Sequence, residues 1–236
     1  MNTVFCRHCR SASLGPIVTG LCAPIFLATV FATPCMAQTA GHWSYKVGEN
    51  LIAPQVSSGD LSGPGPTGVK IDVGHAYAPI VSGTYMLTDN VATELVIGLP
   101  YRHDITGKGV IDGVGKIASV QQLPPTLFVQ YRFQQADATW RPYLGLGLTY
   151  AYFRDARPTS TLNAILGPTT MEVDGRFGLT PQIGAIYRIN DRWFIDTSVT
   201  KTYLSTRATL TSGCIVRTLA SRLDPIAVSV SLGYQF

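Results

Sequence analysis

The chain has 236 residues, a net charge of +4 and a mean hydropathy of +0.19, and only 14% of its residues are charged. Soluble domains carry about 25% charged residues, so this composition favours a largely apolar environment and gives no indication of a nucleic-acid partner. Beyond the first 37 residues, no apolar run has the roughly 20 residues that a membrane-spanning helix needs. A membrane protein with this sequence would therefore cross the bilayer as strands.

The N-terminal segment has the pattern of a secretory signal peptide. Two arginines precede an apolar run at residues 14–30, no acidic residue is present, and a small residue, Ala37, ends the segment. This arrangement predicts export and cleavage before Gln38. Read as a membrane helix, the run would be interrupted by two prolines. The predicted organisation is a removed signal peptide, residues 1–37, followed by one domain, residues 38–236.

The remaining chain consists of segments in which apolar and small polar residues alternate, as they do in strands. The last segment shows this most clearly, because every second residue from Val228 to Phe236 is apolar or aromatic. The predicted strands are about 43–56, 79–87, 91–101, 122–133, 141–153, 175–188, 193–206 and 225–236.

The connections between these strands alternate in length. They are long after the first, third, fifth and seventh strands and short after the second, fourth and sixth. An up-and-down barrel places odd connections at one rim and even ones at the other, and outer-membrane barrels have long loops outside and short turns in the periplasm. In lipid a sheet must close on itself, because backbone groups find no water there. The predicted fold is therefore all-β, an eight-stranded antiparallel up-and-down transmembrane β-barrel.

A soluble lipocalin-like barrel, with its apolar face turned inward around a ligand, is the main alternative architecture. Alternation alone does not separate the two. The less apolar face of the strands is mostly Gly, Ser, Thr and Gln, which suits a crowded lumen better than a surface in water. Aromatic residues such as Trp43, Trp193 and Tyr234 also gather near strand ends, as interfacial girdles do. Both features favour the membrane barrel.

Several segments resemble the outer membrane protein W family, over a region from about Pro79 to Phe236. They are Thr88-Asp-Asn90 with Glu94, Pro100-Tyr-Arg-His103, Leu123-Pro-Pro-Thr-Leu127, Arg141-Pro-Tyr-Leu-Gly-Leu-Gly147, and Leu223-Asp-Pro225 leading to Gly233-Tyr-Gln-Phe236. The resemblance implies a barrel in the outer membrane of a Gram-negative cell, with a narrow channel for small hydrophobic compounds. It also implies that the terminal Phe236 is read by the barrel-assembly machinery during insertion. An ordinary interfacial role for that residue is the alternative.

Alternation along the strands assigns five apolar side chains to the upper part of the lumen. They are Ile52, Ile80, Phe128, Phe153 and Leu204. Together they predict an apolar chamber that binds small apolar solutes. The alternative is that these side chains simply fill a closed barrel.

The same alternation predicts a charged plug near the periplasmic rim. It places Glu94 close to Arg132, and Arg188 near Asp196. Buried charges are normally paired, so such pairs would brace the strands and deny a solute the straight route. A solute from the chamber would then leave sideways, between strands, into the bilayer. The alternative is that these four residues reach water at the rim.

Two other functions remain open from the sequence. A lipid-modifying hydrolase would need a nucleophile, a base and an orienting carboxylate within reach, and His103, Asp104 and Ser119 form the one grouping worth naming. A structural or adhesive barrel would act through its extracellular loops.

Few other partners or groups are expected. The predicted partners are outer-membrane lipids, the barrel-assembly machinery and small apolar solutes. No cofactor is expected, and the histidines have no metal-ligand spacing. Four of the five cysteines lie in the predicted signal peptide, so Cys214 has no partner for an intramolecular disulfide in the predicted mature chain.

Overall fold

The computed structural model describes residues 38–236, so the predicted signal peptide lies outside the described residues. Within them are fifteen strands and one helix. In chain order they are β1 (Trp43–Ala53), β2 (Ser57–Ser58), β3 (Val69–Val73), β4 (Ala76–Met86), β5 (Val91–Gly98), β6 (Tyr101–Gly109), β7 (Lys116–Leu123), β8 (Thr126–Arg132), β9 (Trp140–Pro158), α1 (Ser160–Leu166), β10 (Thr169–Val173), β11 (Arg176–Arg188), β12 (Trp193–Lys201), β13 (Ser205–Ser212), β14 (Ile215–Arg222) and β15 (Ile226–Gln235). No helix in this part of the chain has the length and apolarity needed to cross a membrane.

Eight of the strands form a closed antiparallel barrel, which confirms the predicted fold. Their order around the barrel is β1, β4, β5, β8, β9, β11, β12 and β15. The first strand pairs with the last, from Ser44 opposite Gln235 to Ala53 opposite Ile226. Every barrel strand therefore has a hydrogen-bonded neighbour on each side, and none of the eight is an edge strand that would face lipid along its whole length.

The short connections lie at one end of the barrel, here called the turn end. Thr88 Oγ1 accepts hydrogen bonds from the backbone N–H groups of Asn90 and Val91, at 3.2 and 2.9 Å. In another turn, Asn190 Oδ1 accepts from the N–H of Trp193 at 2.8 Å. Such side-chain bonds to the backbone are the reason that Thr, Asp and Asn favour tight turns.

The outer surface of the barrel is apolar. On β9, Leu144, Leu146 and Leu148 are 50%, 54% and 53% exposed, and the residues between them face inward. Near the turn end the rings of Trp43 and Tyr85 pack with their centroids 4.9 Å apart. An apolar band edged by aromatic side chains is the surface that a barrel presents to lipid.

The opposite end, here called the loop end, contains more strand than the sequence predicts. The long connections carry strands and assemble into two further sheets, one of β3, β6, β7 and the last part of β9, the other of β2, β14, β13 and β10. Apolar side chains from both sheets, including Ile105, Val120, Leu210 and Leu219, meet in one buried cluster. A glycine-rich stretch joins β6 to β7 at the tip of a hairpin, where Gly109, Gly113 and Gly115 have positive φ.

Small residues inside the barrel make room for large ones. The ring of Phe128 lies across Gly147 on the neighbouring strand, where a Cβ atom would clash with it, and Tyr143 lies in the same way across Gly184. Inward glycines therefore allow an eight-stranded barrel, whose interior is only as wide as its side chains, to hold bulky groups.

Candidate functional site in the barrel lumen

The lumen contains a cavity, here called the lumen cavity, with about 810 Å³ of empty space including its open mouth. Toward the loop end, Ile52, Ile80 and Tyr101 form a buried apolar cluster on its wall. Toward the turn end its lining becomes polar and includes Lys46 and Glu94. The lumen therefore changes from apolar to charged along the barrel axis.

A row of threonines crosses the inner wall between these two regions. The hydroxyls of Thr126 and Thr149 are 2.8 Å apart, those of Thr149 and Thr180 are 2.6 Å apart, and those of Thr180 and Thr202 are 3.1 Å apart. The row links β8, β9, β11 and the segment after β12. Because the hydroxyls bond to one another, this stretch of wall is polar in composition yet largely satisfied within itself.

Nearer the turn end, a group of five side chains, here called the charged cluster, crosses the lumen. Lys46 Nζ lies 2.7 Å from Glu94 Oε1 and 2.7 Å from Asp196 Oδ2. The Tyr143 hydroxyl donates to Asp196 Oδ1 at 2.9 Å, and Gln130 Nε2 donates to Glu94 Oε2 at 2.5 Å. All five side chains are buried. The lysine thus pairs with two carboxylates from different strands, and their other oxygens are hydrogen-bonded, as buried charges require.

Two arginines close the turn end below the charged cluster. Arg132 donates from Nη1 to Gln38 Oε1 at 2.9 Å and from Nη2 to Gln130 Oε1 at 3.1 Å. Arg141 donates from Nη1 to the same Gln38 oxygen at 3.3 Å and from Nε to the carbonyl of Phe133 at 3.2 Å. Gln38 is itself buried, so the residue predicted to begin the mature chain lies inside the barrel.

The structure brings Glu94 and Arg132 into one network, but not into direct contact. Gln130 stands between them, donating to the carboxylate and accepting from the guanidinium. Gln130 is not among the residues predicted for the plug. Alternation does place its amide on the same inward face of β8 as Arg132.

The predicted pairing of Arg188 with Asp196 is not present. Arg188 lies opposite Phe194 at the end of β11 and is partly exposed, two positions nearer the turn than the residue that Asp196 faces. Asp196 pairs instead with Lys46 of β1. The true partner therefore comes from the far end of the sequence and reaches the carboxylate over β15, the one strand between β1 and β12.

The five predicted chamber residues divide between two cavities. Ile52, Ile80, Phe128 and Leu204 are buried and line the lumen cavity, whereas Phe153 is partly buried and lines a second cavity. Phe128 lies deeper than the others, two positions nearer the turn end than the threonine row. Their role in binding a ligand stays a prediction.

The second cavity, here called the upper cavity, lies between the two sheets of the loop end and contains about 530 Å³ of empty space including its opening. Its lining is mostly apolar and includes Ile105, Phe153 and Leu223. Gln122 and Pro225 line both the upper cavity and the lumen cavity. The two cavities therefore adjoin.

The candidate hydrolase residues do not assemble. His103 is 1% exposed, and its Nδ1 lies 2.8 Å from the carbonyl of Gly74. Asp104 points out of the other face of β6, where it pairs with Lys116 at 2.6 Å, and Ser119 lies opposite it in the strand register. The imidazole and the other two groups are thus on opposite faces of one sheet. Within residues 38–236, no three potential metal ligands lie close enough together to hold an ion.

The barrel wall is interrupted between β5 and β8 toward the loop end. Their ladder ends at Val96 opposite Thr126, and pairing resumes between β6 and β7 only beyond residues 97–100 and 123–125. No strand pairing in the described structure joins these two segments, here called the wall break. Residues on both of its sides line the lumen cavity.

Prolines lie on both sides of the wall break. Leu99 N–H donates to β4, and the Pro125 carbonyl accepts from β9, so these residues direct their backbone groups away from it. In an antiparallel sheet, successive residues of a strand direct their backbone N–H and C=O groups to the neighbouring strands on opposite sides in turn. Pro100 and Pro124 would therefore direct N–H groups into the wall break, but proline has no N–H.

A closed eight-stranded barrel with an apolar outer band, aromatic residues at its edge and a largely polar interior defines an outer-membrane β-barrel protein. The sequence model of the OmpW family matches residues 39–236, and the chain belongs to that family.

Three known proteins illustrate the relationship. The chain is 31% identical over 218 residues to outer membrane protein W of Vibrio cholerae, covering 92% of this chain and 98% of that protein. The crystal structure of OprG from Pseudomonas aeruginosa has a TM-score of 0.79 and 28% identity, covering 85% of this chain and 98% of that one. The dibenzothiophene metabolism operon protein PahQ of Pseudomonas aeruginosa is 24% identical over 206 residues, covering 87% of this chain and 93% of that protein.

These relationships place the protein in the outer membrane of a Gram-negative bacterium. Barrels of this kind have short periplasmic turns and longer extracellular connections. The turn end is therefore periplasmic and the loop end is extracellular.

Replacing Lys46 by methionine would leave Glu94 and Asp196 buried without their cation. We expect Lys46→Met to lower the free energy of unfolding by about 3–5 kcal/mol, the usual cost of breaking a buried ion pair, measured by urea unfolding. Lys108→Met removes an exposed pair with Asp112 and should cost less than about 1 kcal/mol. Equal losses in the two variants would contradict the role assigned to Lys46.

Proposed function

We propose that this OmpW-family barrel is a passive channel for small apolar compounds. The observation that carries the proposal is the sequence of features along the axis: the upper cavity adjoins the lumen cavity, which ends at the charged cluster below and reaches the wall break at its side. A solute would enter from the extracellular side, pass through both cavities and leave through the wall break into the bilayer.

The charged cluster serves in this proposal as a plug. An apolar solute that continued toward the periplasm would have to separate Lys46 from Glu94 and Asp196, and breaking a buried ion pair costs several kcal/mol. Moving the same solute into lipid is favourable, by about 25 cal/mol for each Å² of apolar surface removed from water. The sideways route is therefore the less costly of the two.

The wall break supplies the place for that sideways exit. Opening an intact part of the wall would leave backbone N–H and C=O groups unpaired in lipid, which is costly. At the wall break the strands are already unpaired. Separation there removes contacts between side chains but no ladder hydrogen bond.

The chemistry of the lining and the name of one relative support an apolar solute. The upper cavity is lined mostly by aliphatic and aromatic side chains, which bind apolar molecules well and polar ones poorly. PahQ is named for a dibenzothiophene metabolism operon, and dibenzothiophene is an apolar aromatic compound. An enzymatic role has less support, since His103 is separated by the sheet from Asp104 and Ser119.

We further propose that Phe236 is recognised by the barrel-assembly machinery. Its ring is 62% exposed at the periplasmic rim and packs edge-on against Tyr45 and Tyr234, with centroids 5.6 and 5.0 Å away. Phe236→Ser should slow the appearance of the heat-modifiable folded form in cells. Phe133→Ser, which removes another rim aromatic, is the control. Equal delays in both variants would reduce Phe236 to an ordinary interfacial residue.

Phe128 lies on the proposed route within the lumen cavity. Phe128→Asp places a carboxylate there and should abolish entry of a small apolar probe such as naphthalene, because a buried charge repels apolar solutes through its need for hydration. The barrel should still fold, as judged by heat modifiability. Ile165→Asp, on the exposed helix α1, is the control and should leave entry unchanged. Undiminished entry in Phe128→Asp would remove this residue from the pathway.

The lateral exit depends on the missing N–H groups of the wall break. The double substitution Pro100→Ala and Pro124→Ala supplies both donors and should slow naphthalene entry about fivefold or more, since each hydrogen bond adds about 1 kcal/mol to the paired form. Pro142→Ala, in a part of β9 paired on both sides, should have no such effect. If the double variant transports as fast as the wild type, the exit does not lie at the wall break.

A further inference from the structure

The upper cavity contains two buried polar atoms that have no hydrogen-bond partner within the described structure. They are His103 Nε2, on β6, and Ser221 Oγ, on β14. The residues are 1% and 6% exposed, and both line the upper cavity. Buried polar atoms without partners are rare in native proteins and call for an explanation.

The chemistry of His103 is defined by its other ring nitrogen. Nδ1 lies 2.8 Å from the carbonyl oxygen of Gly74, and because a carbonyl only accepts, Nδ1 carries the hydrogen. Burial lowers the pKa of His103, so the ring is neutral near pH 7 and Nε2 is an acceptor. Gln122 lies beside the ring and acts to raise that pKa, but no hydrogen bond of good geometry joins it to Nε2.

Ser221 complements this acceptor. Its hydroxyl can donate one hydrogen bond and accept others, and it belongs to the sheet that faces His103 across the cavity. The upper cavity thus offers one acceptor and one donor on walls that are otherwise mostly apolar. A purely apolar guest would leave both atoms unsatisfied, whereas a guest with a hydroxyl group could pair with them.

We propose that the upper cavity selects apolar molecules that carry a hydroxyl group, such as aromatic alcohols and phenols, with His103 Nε2 accepting the hydroxyl hydrogen and Ser221 providing the second polar contact. This inference rests on the proposed channel function and assigns it a substrate class. The cavity is lined mostly by aliphatic side chains with a few polar groups among them, which is the usual composition of a small-molecule site. Guests with several polar groups are disfavoured because most of the remaining lining is apolar and leaves such groups without partners.

The test measures the affinity of the full protein in lipid nanodiscs for three probes of nearly equal size. They are naphthalene, 1-naphthol and quinoline. Protein-free nanodiscs correct for partition into lipid. Naphthol can donate through its hydroxyl, quinoline can only accept, and naphthalene does neither. We expect naphthol to bind about tenfold more tightly than naphthalene, as one additional hydrogen bond in an apolar site would give.

Two variants test the contacts with His103 and Ser221 separately. His103→Leu should weaken naphthol binding about tenfold and leave quinoline and naphthalene unchanged, whereas Ser221→Ala should weaken both naphthol and quinoline about threefold. His75→Leu changes an exposed histidine and should change none of the three affinities. If His103→Leu fails to fold, the result for Ser221→Ala alone decides whether the proposed contacts exist. That variant should fold, because it removes only one atom from a small side chain.

The outcomes distinguish this inference from the channel proposal. Equal binding of all three probes to the wild type, or an unchanged naphthol affinity in both variants, overturns the selection for hydroxyl groups while leaving an apolar channel intact. Failure of all three probes to bind the wild type overturns the proposed channel itself.

Discussion

The closed ring of backbone hydrogen bonds is the constraint on which the rest of this structure depends. No water in the bilayer core can satisfy an unpaired N–H or C=O group, so β1 has to pair with β15 and every barrel strand needs two neighbours. Eight strands close around an interior only as wide as its side chains. Inward residues of opposite walls are therefore close enough to be linked, as Lys46 links Glu94 of β5 to Asp196 of β12. Two parts of the proposed function rest on this constraint: the charged cluster would plug the lumen where its side chains pair, and the wall break would provide the lateral exit.

Much of this fold follows from the sequence because the bilayer imposes a simple alternation. Outward residues of the eight strands must be apolar, so their positions and the short turns at Thr88 and Asn190 can be predicted. The strands of the loop end could not be predicted in the same way. They face water on one side and a small apolar core on the other. On β13 the buried residues include small ones, Thr206 and Ala208, so the alternation with the exposed polar residues is weak. The glycines at 107, 109, 113 and 115 are also more typical of loops than of strands.

The site was only partly accessible from the sequence. Alternation places Glu94, Arg132 and Asp196 inside, but it carries no information on which strands face each other across the lumen. For that reason it joined Asp196 to its neighbour in sequence, Arg188, and overlooked Lys46, which lies 150 residues away. A lysine on the inward face of a strand, between Ser44 and Gly48, was the signal that could have identified it. The wall break likewise needed the pairing register, although its prolines are visible in the sequence.

The most direct test of the channel is the entry of two small probes, naphthalene and arabinose, into cells with and without this protein at matched surface expression of a control barrel. The account predicts that the protein accelerates entry of naphthalene alone, because the apolar cavities admit it and the charged cluster denies passage to a polar solute. Equal acceleration of both probes, or of neither, would contradict a channel selective for apolar compounds and would favour a role carried by the extracellular end of the barrel.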